Sequence, residues 1–330
     1  MKPNQSDQQQ VEISVVVPAY NEEESIIHSL EAIKSTVSRI TNDFELLVVN
    51  DGSTDTTREL LIEKAEHESR LRIINCGVNR GHMAALEAGL KVSAGNFIVT
   101  IDADLQDDPS AIIDMYSIIQ RKDKYGNHIY DVVQAVRTSR STDTLFKRIS
   151  AKIYYKLIRK LTGIPIAHHA ADFRMITRKA NEVLCALPEN RKIYRLLIPS
   201  IGFNVFNLET VRHKRYAGVS KYPLSRMINL AASSFLDFSI EPLRLMIKIG
   251  LLSTFLMFSF GVTTLFLWLN GSTIPGWTSL VFLLLTSNSV IVLSLGVLGL
   301  YVGNLQDQIK ARPNGIWTEV KIAQPDDDSP

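Results

Sequence analysis

The sequence predicts an α/β fold, with a doubly wound and mostly parallel sheet, followed by interfacial helices and two transmembrane helices. Three observations predict it. Short apolar runs alternate with predicted helices through the first two thirds of the chain, which is typical of strand–helix–strand units. Several of these runs end in polar or acidic turns. No charged residue occurs between Ile249 and Gln306, and such a stretch is typical of membrane-spanning helices.

Net charge, length and cysteine content limit the kinds of protein that this sequence can encode. The formal net charge of +2 gives no general reason to expect nucleic-acid binding. The 330 residues can hold one large domain, or one domain with an appendage. Cys76 and Cys185 lack the spacing of a metal site and fit a reducing compartment. Residues 1–11 predict a disordered lead, and their polar composition disfavours an ordinary cleaved signal peptide.

Four apolar runs in the first third of the chain predict strands, each followed by a helix. Acidic residues in the turn after the first run favour a helix start there. The polar turn Asp51–Asp55 supplies caps for the second helix. The predicted strands are 13–20, 44–50, 71–75 and one beginning at 96, and the predicted helices are 21–37, one after 55, 82–93 and 111–122.

The chemistry is concentrated in Asn96–Pro109, where an apolar run ends in Asp102, Asp104, Asp107 and Asp108. Unpaired buried carboxylates are very costly, so we expect these acids at the carboxyl end of the strand, facing water or a cation. In an open α/β sheet, ligands bind at that edge. Two carboxylates spaced two residues apart can share Mg²⁺ or Mn²⁺, which then bridges to phosphate oxygens. The alternative is a solvated acidic loop that caps the following helix.

Other predicted strands end in the same way. Asn21 and Glu22 follow the first strand, and Asp51 and Asp55 follow the second. Because the carboxyl ends of parallel strands share one edge of the sheet, this convergence strengthens the case for a ligand site. The first strand is followed by P-A-Y-N-E and not by G-x-G-x-x-G. A nicotinamide-dependent enzyme is therefore disfavoured, because the turn that holds the dinucleotide pyrophosphate is missing.

The next part of the chain adds further elements and two basic segments. Two strands and a helix are predicted at 131–136, 172–176 and 179–187. A basic helix is predicted over 145–161, and its charges form either a solvated face or a surface near anionic lipid head groups. The loop 212–222 is basic and contains Gly and Ser, which is the composition of an anion-binding segment.

Two uncharged segments predict a transmembrane hairpin over 249–304, with spans at about 249–269 and 278–302. A hairpin buried in a protein core is the alternative, but two adjacent spans of this length disfavour it. Basic residues flank the outer ends of the hairpin and are missing from the connecting turn. By the positive-inside tendency, both termini and the catalytic domain are expected in the cytoplasm, at the inner membrane. Residues 223–248 predict interfacial amphipathic helices, and 305–330 a cytoplasmic tail.

Four motifs occur in order: V-V-V-P-A-Y-N-E-E, V-V-N-D-G-S-T-D, N-R-G-H-M-A-A-L-E-A-G and D-A-D-L-Q-D-D-P. Together they closely resemble the family 2 inverting glycosyltransferases. That resemblance implies a GT-A fold, a Rossmann-like domain that binds nucleotide sugars, over 12–222. The later R-Y-A-G-V-S-K-Y and the paired spans resemble the polyprenyl-phosphate branch, which includes bactoprenol glucosyltransferases and the relatives of dolichol-phosphate mannosyltransferase. The resemblance extends from Val11 to Pro313.

The resemblance also implies ligands and site residues. It implies a nucleotide-sugar donor, a membrane-embedded polyprenyl phosphate acceptor, and Mg²⁺ or Mn²⁺. The nucleotide-sugar pocket would be lined by Pro18, Tyr20, Asn21, Glu22, Asp51 and Asp102, and the metal would be held by Asp102, Asp104 and Gln106. The acceptor phosphate would be bound by Arg137, Arg148, Arg215, Ser220 and Lys221, and the catalytic group would be Asp102, Asp104, Arg137 and Lys221.

One segment departs from the family pattern. A small, Gly-containing segment usually precedes D-F-R, whereas this chain has His168-His169-Ala170-Ala171 there. The two histidines are either local variation near the acceptor or a proton-transfer group, since histidine titrates near neutral pH.

The resemblance therefore implies inverting, metal-dependent transfer of glucose from UDP-glucose to undecaprenyl phosphate, or another polyprenyl phosphate, at the cytoplasmic face of the membrane. Mannose, galactose and aminoarabinose are alternative sugars. The lipid bilayer is an expected partner, nucleic acid is not, and a homo-oligomer stays open. A processive polysaccharide synthase is disfavoured because the chain has no Q-x-x-R-W motif, and a non-catalytic membrane adaptor is disfavoured by the intact D-A-D.

Overall fold

The structure, a computed structural model, describes residues 11–137, 170–189, 192–210, 241–270, 276–309, 313 and 315–320. The chain divides into two compact units. The first contains residues 1–159, 164–221 and 312–330, and the second contains 160–163 and 222–311. All described strands belong to the first unit, and the two longest described helices belong to the second.

The first unit is built on one eight-stranded sheet of order β7-β5-β6-β4-β1-β2-β3-β8. The strands are β1 (Ile13–Ala19), β2 (Phe44–Asn50), β3 (Leu71–Cys76), β4 (Phe97–Thr100), β5 (Val132–Arg137), β6 (Ala170–Thr177), β7 (Val205–Thr210) and β8 (Trp317–Val320). The helices of this unit are α1 (Ile26–Val37), α2 (Thr57–Glu66), α3 (His82–Val92), α4 (Ala111–Ile119), α5 (Arg178–Ala186) and α6 (Tyr194–Ile201).

The sheet is mixed but mostly parallel in direction, as expected, because six of the eight described strands run one way and β6 and β8 run the other way. β3, β2, β1 and β4 are mutually parallel neighbours. β6 runs antiparallel to both β4 and β5, and β8 runs antiparallel to β3. The α/β class is confirmed. The direction of β6 and β8 depends on the path of the chain between distant segments, which local apolar patterns do not encode.

Three described elements have no counterpart in the sequence analysis: α6, β7 and β8. β8 lies within 305–330, the segment expected to be a tail, and it forms one edge of the sheet. The basic helix predicted over 145–161 and the basic loop 212–222 lie outside the described residues. So do residues 1–10, 321–330 and most of the interfacial segment, whose last part, from Glu241, belongs to a long helix.

The core forms two apolar layers, one on each face of the sheet. Along β1, Val15 and Val17 pack into one cluster with α1, α2 and α4, while Val16 packs into the other with α3, α5 and α6. Successive strand residues point to opposite faces. Because both faces are covered by helices, every residue of β1 and of β2 is buried. This explains why these strands occur as continuous apolar runs and confirms the doubly wound arrangement.

The second unit contains α7 (Glu241–Leu269) and α8 (Trp277–Ile309), which contact each other. Large apolar side chains on both helices are exposed, among them Leu251, Phe255, Phe258 and Phe266 on α7, and Val292, Leu295 and Leu300 on α8. Within the described residues, Thr286–Gly303 of α8 is long and apolar enough to cross a bilayer, and α7 contains a shorter apolar segment, Met246–Phe260. The predicted helices are therefore present, and one of them meets the length and composition of a span.

Gly89 allows α3 to approach the sheet, and its replacement tests the packing. A Cβ on Gly89 would overlap Cγ1 of Val16 and lie 3.1 Å from Cγ2 of Val49. Gly89→Ala should lower the free energy of unfolding by about 1–3 kcal/mol, because overpacking outweighs the gain in helix propensity. The measurement is urea unfolding in detergent. Gly77→Ala is the matched control, because a Cβ there meets no atom within 4 Å. Equal stability of the two variants would contradict the packing argument.

Candidate active site

Polar residues gather at the carboxyl edge of the parallel strands. Asn21 and Glu22 follow β1, Asp51 follows β2, and Asp102 and Asp104 follow β4. β1 pairs in parallel with both β2 and β4, so these three turns are neighbours. The edge predicted from the sequence is therefore the place where the structure brings these side chains together.

Asn21 and Glu22 connect the turn after β1 to the turn after β2. The Asn21 backbone has a φ of 53°, a left-handed conformation in which Asn is enriched. Its side-chain Oδ1 accepts a hydrogen bond from the backbone N–H of Thr54 at 2.8 Å, and its own backbone N–H donates to Ser53 Oγ at 3.0 Å. The Glu22 N–H donates to Thr57 Oγ1 at 2.9 Å. Both residues thus hold the D-G-S-T-D turn in place.

Asp51 is buried, with 2 % of its surface exposed, and holds the loop after β3. Its two carboxylate oxygens accept hydrogen bonds from the backbone N–H groups of Arg80 and Gly81, each at 2.7 Å. Burial raises the pKa of Asp51 above its ordinary value, and the two N–H donors oppose this. Next to it, Gly52 has a φ of +67°, and a Cβ there would lie 2.6 Å from the carbonyl carbon of Val78. The turn and the loop are therefore in close contact.

The D-x-D pair lies directly after β4, as predicted, but its surroundings differ from the prediction. The Asp102 side chain is 36 % exposed, whereas Asp104 and Asp107 are buried at 7 % and 4 %. The acids were expected to face water or a cation; Asp104 and Asp107 do not face water, and a cation beside them stays a prediction. The reason is a tight turn: Leu105 has a φ of 55°, and the N–H of Gln106 donates to Asp104 Oδ1 at 3.1 Å. A left-handed leucine is uncommon, and such strain is concentrated at functional sites.

His82 joins two acidic residues that are far apart in the sequence. It is the first residue of α3, and its Nε2 lies 3.6 Å from Asp102 Oδ1 and 3.7 Å from Asp172 Oδ2. Since Arg80 and Gly81 bind Asp51, the N-R-G-H segment connects Asp51 to Asp102 within four residues. The motif was quoted in the sequence analysis, but a role for its histidine was missed.

Asp172 lies in a cluster of charges beside Asp102. Its Oδ1 accepts from Arg174 Nη2 at 2.6 Å, and its Oδ2 accepts from Arg195 Nη2 at 3.2 Å. Thr100 Oγ1 donates to the Asp172 carbonyl at 2.6 Å, which ties β4 to β6. Burial disfavours the charged carboxylate, yet Arg195 and Arg174 hold the pKa of Asp172 well below its usual range. The sequence analysis named D-F-R without a role for its Asp, and it gave no indication of Arg195.

The concentration of carboxylates makes the edge suited to a cation. Desolvation raises the pKa of Asp102; His82 opposes the shift, while Asp172, Asp104 and Asp107 add to it. Within the described residues, no group of three or more His, Cys, Asp or Glu side chains is arranged to hold a metal. Asp102 and Asp104 supply carboxylate oxygens, the donor chemistry that a divalent ion prefers, and the metal site at this pair stays a prediction. Mg²⁺ commonly binds through carboxylates, with water and substrate phosphate completing its shell.

Other predicted site residues lie elsewhere in the chain. Pro18 is buried in β1, beyond the stretch that pairs with β4, so its missing N–H interrupts no bond on that side. Tyr20 is exposed at the edge. Arg137 ends β5, but the structure describes only its backbone. Arg148, Arg215, Ser220 and Lys221, together with His168 and His169, lie outside the described residues.

The sequence profile of the glycosyl transferase family 2 matches residues 14–185, which include β1 to β6, Asp51, the D-x-D pair and Asp172. The chain belongs to this family. It is a glycosyltransferase, and its mixed α/β sheet is GT-A-like, as the resemblance implied.

Relatives that match nearly the whole chain of this family 2 glycosyltransferase support the same assignment. It is 39 % identical over 304 residues to the uncharacterized glycosyltransferase YkcC of Bacillus subtilis, covering 92 % of each chain. It is 32 % identical over 310 residues to the bactoprenol glucosyl transferase of Shigella phage SfII, covering 93 % of this chain and 97 % of that one. The similarity therefore includes the long helices as well as the sheet.

A solved structure of lower sequence identity is also similar to this chain. The glucosyl-3-phosphoglycerate synthase of Mycobacterium tuberculosis, crystallised with Mn²⁺, UDP and phosphoglyceric acid, is 21 % identical to this family 2 glycosyltransferase. The match covers 68 % of this chain and 76 % of that one, with a TM-score of 0.48. This is a distant likeness, so the family assignment rests on the sequence matches.

Replacing Asp172 tests the charge cluster. Asp172→Asn should lower the free energy of unfolding at pH 7 by about 3 kcal/mol, because it leaves the buried Arg174 without its counter-ion. The wild type should lose this advantage as the pH falls below the ordinary aspartate pKa of 3.8. There the unfolded chain takes up a proton that native Asp172, with its lowered pKa, accepts only at lower pH.

The measurement is urea unfolding of both proteins between pH 7 and pH 3. Asp108→Asn serves as the control, because Asp108 is exposed and its carboxylate accepts only a local hydrogen bond from the Ser110 N–H among the bonds described. A difference between Asp172→Asn and wild type that stayed constant down to pH 3 would show that the ion pair does not carry the effect.

Proposed function

We propose that this glycosyltransferase transfers a sugar, glucose from UDP-glucose, to a polyprenyl phosphate at the cytoplasmic face of the membrane. The observation that carries the proposal is the meeting of the Asp51 turn, the N-R-G-H loop and the D-x-D pair at one edge of the sheet. The relatives named bactoprenol glucosyl transferase support the choice of acceptor and of glucose, since they are similar over nearly the whole chain.

The donor nucleotide lies against the turns after β1 and β2 in this proposal. Pro18, Tyr20, Asn21, Glu22 and Asp51 line that pocket, with Asp51 at the base or ribose. Its buried carboxylate is already engaged by two backbone N–H groups, which fixes its position before the ligand arrives. A site arranged in advance loses less conformational entropy when it binds its ligand.

Asp102 and Asp104, with Gln106 beside them, would hold Mg²⁺ or Mn²⁺ between the protein and the donor diphosphate. When bound, the ion supplies Lewis-acid stabilisation of the departing nucleoside diphosphate. His82 lies between Asp102 and Asp172 and orients the Asp102 carboxylate.

The acceptor needs no general base. A phosphate monoester has its second pKa near 6, so at pH 7 it is largely a dianion. Its oxygen is therefore already a nucleophile. That oxygen forms a bond to the anomeric carbon while the bond to the nucleoside diphosphate breaks, and in-line displacement inverts the anomeric centre. The protein's task is to hold two anions in line, which is positioning and electrostatic stabilisation. We assign this to Arg137, Arg148, Arg215, Ser220 and Lys221.

The membrane part of the proposal rests on α7 and α8. Their large apolar side chains are exposed in the second unit, as expected for helices that face lipid. Both helices lie in the sequence between β7 and β8, two strands of one sheet. A chain that leaves one domain and returns to it must cross the membrane an even number of times. Arg244, Lys248, Lys310 and Arg312 flank the outer ends, which favours the cytoplasm for that domain.

The test is transfer by the full-length chain, purified for the choice of donor, and in inverted and right-side-out membrane vesicles from cells for the choice of membrane face. A panel of UDP- and GDP-sugars is incubated with undecaprenyl phosphate and Mg²⁺, and lipid products are identified by mass spectrometry. We expect hexosyl-phosphoryl undecaprenol from UDP-glucose, and donor added outside should be used by inverted vesicles but not by right-side-out ones. Another sugar in the product would correct the donor, and no lipid product from any donor would refute the function.

Asp104→Asn tests the metal-binding pair. The substitution removes a charge at the proposed cation, so transfer should fall by at least about a hundredfold, as one lost charge-assisted interaction of about 3 kcal/mol predicts. Excess EDTA should have the same effect on the wild type. Asp108→Asn is the control, since it removes the same charge from an exposed position nearby. Wild-type turnover that survives EDTA would remove the metal from the proposal.

Lys221→Ala and Arg215→Ala test the acceptor side. Loss of one charge-assisted contact costs about 1.5–3 kcal/mol, so transfer should fall about ten- to a hundredfold while UDP binding stays near wild type. If these cations only attract anionic lipid, each contributes about 1 kcal/mol and high salt should mimic its loss.

A short-chain soluble polyprenyl phosphate separates the two explanations, and Lys214→Ala, in the same basic loop, is the matched control. We expect the defect of the two variants to persist with the soluble acceptor. Wild-type activity of both variants on that acceptor would remove them from the site.

A further inference from the structure

The last described strand, β8, begins beside the loop that holds Asp51. β8 pairs antiparallel with β3, with Trp317 opposite Cys76 and Val320 opposite Ile73. Cys76 is the last residue of β3, and the loop of residues 77–81 begins directly after it. The antiparallel direction therefore places the beginning of β8, and not its end, at the ligand-binding edge.

Two interactions attach β8 to the sheet. Trp317 is partly buried and packs against the apolar layer that also contains Ile74 and Leu86. Glu319 accepts two hydrogen bonds from Arg72, from Nε at 2.7 Å and from Nη2 at 3.2 Å, and Arg72 Nη1 donates to Glu45 at 2.6 Å. Exposed ion pairs contribute little, whereas burial of a large aromatic side chain contributes much more. Trp317 is therefore the main anchor.

The residues just before β8 contact the loop itself. A Cβ built on Gly315 would lie 3.2 Å from Cγ of Arg80 and 2.9 Å from Nε1 of Trp317. On its other side, the loop is held by Asp51, through the N–H groups of Arg80 and Gly81, and by close contact of Gly52 with Val78. The loop thus lies between the Asp51 turn and the C-terminal segment, residues 315–320.

We propose that the C-terminal segment is a positioning element of the donor site. It holds the loop where Arg80 and Gly81 fix Asp51, so that affinity for the donor nucleotide depends on residues that follow α8 in the sequence. The assignment of Asp51 to the nucleotide rests on the proposed function. The mechanical link from Trp317 to the Arg80 and Gly81 amides rests only on the contacts described here.

The experiment uses the full-length chain in lipid nanodiscs and four variants. Trp317→Ala removes the anchor, Trp317→Phe keeps an aromatic ring in its place, and Gly315→Ala pushes on Arg80 or Trp317 without removing a contact. Ile316→Ala is the matched control, since Ile316 is 82 % exposed. For each protein we measure amide hydrogen exchange of residues 77–81, the dissociation constant for UDP with Mg²⁺, the KM values for UDP-glucose and polyprenyl phosphate, and the melting temperature.

Trp317→Ala should speed exchange at Arg80 and Gly81 and weaken UDP binding about tenfold, as expected from misplacing a hydrogen-bonded charged group. The KM for donor should rise with it, while the KM for acceptor stays unchanged. Trp317→Phe should restore most of the affinity, Gly315→Ala should show a smaller defect in the same direction, and Ile316→Ala should match the wild type.

A purely structural role predicts a different pattern. Trp317→Ala would then lower the melting temperature while the folded fraction bound UDP with wild-type affinity, and that result would overturn the inference. If Trp317→Ala does not fold, Gly315→Ala decides by the same criteria. If the wild type binds no UDP, the proposed donor is wrong, and unchanged exchange in residues 77–81 of the variants would still overturn the positioning role.

Discussion

The arrangement at the carboxyl edge of the sheet depends on one buried carboxylate. Asp51 accepts hydrogen bonds from two consecutive backbone N–H groups and has almost no exposed surface. A buried carboxylate without donors would cost several kcal/mol, so the turn after β2 and the loop after β3 hold each other in place. The next residue of that loop, His82, begins α3 and lies between Asp102 and Asp172. One local constraint therefore determines the arrangement of acids from three strands.

Much of the sheet could be predicted because its first strands are buried on both faces. β2 was predicted with its observed bounds, and β1, β3 and β4 were predicted within about two residues. β7 and β8 were missed because neither V-F-N-L-E-T nor W-T-E-V is a continuous apolar run. The alternation of apolar and polar residues in β7 is a signal that could have predicted it. The antiparallel direction of β6 and β8 was not predicted, for another reason. Strand direction depends on where distant segments meet, which no local pattern encodes.

The residues of the candidate site also fall into a group that was predicted and a group that was missed. Asp51, Asp102 and Asp104 were found because each follows an apolar run, so their position at the sheet edge follows from strand geometry. The cluster of Asp172, Arg174 and Arg195 was missed because the role of each residue depends on its contacts with the other two. A carboxylate on β6 acquires a role only when a guanidinium on α6 and a histidine on α3 approach it. The burial of Asp104 was not predicted either. It results from the left-handed conformation of Leu105, which the sequence D-L-Q does not indicate.

The pairing of β8 with β3 has a consequence for how the protein is made. Arg72 and Glu319, which join these strands, are 247 residues apart in the sequence. During synthesis β3 remains an open edge until both long helices have left the ribosome, and contacts so distant in sequence form late and slowly. An unpaired edge strand is a template for association with other chains. The nascent chain thus carries an unfinished sheet throughout the period in which its two long helices are synthesised, and delay at that step prolongs the exposure of β3.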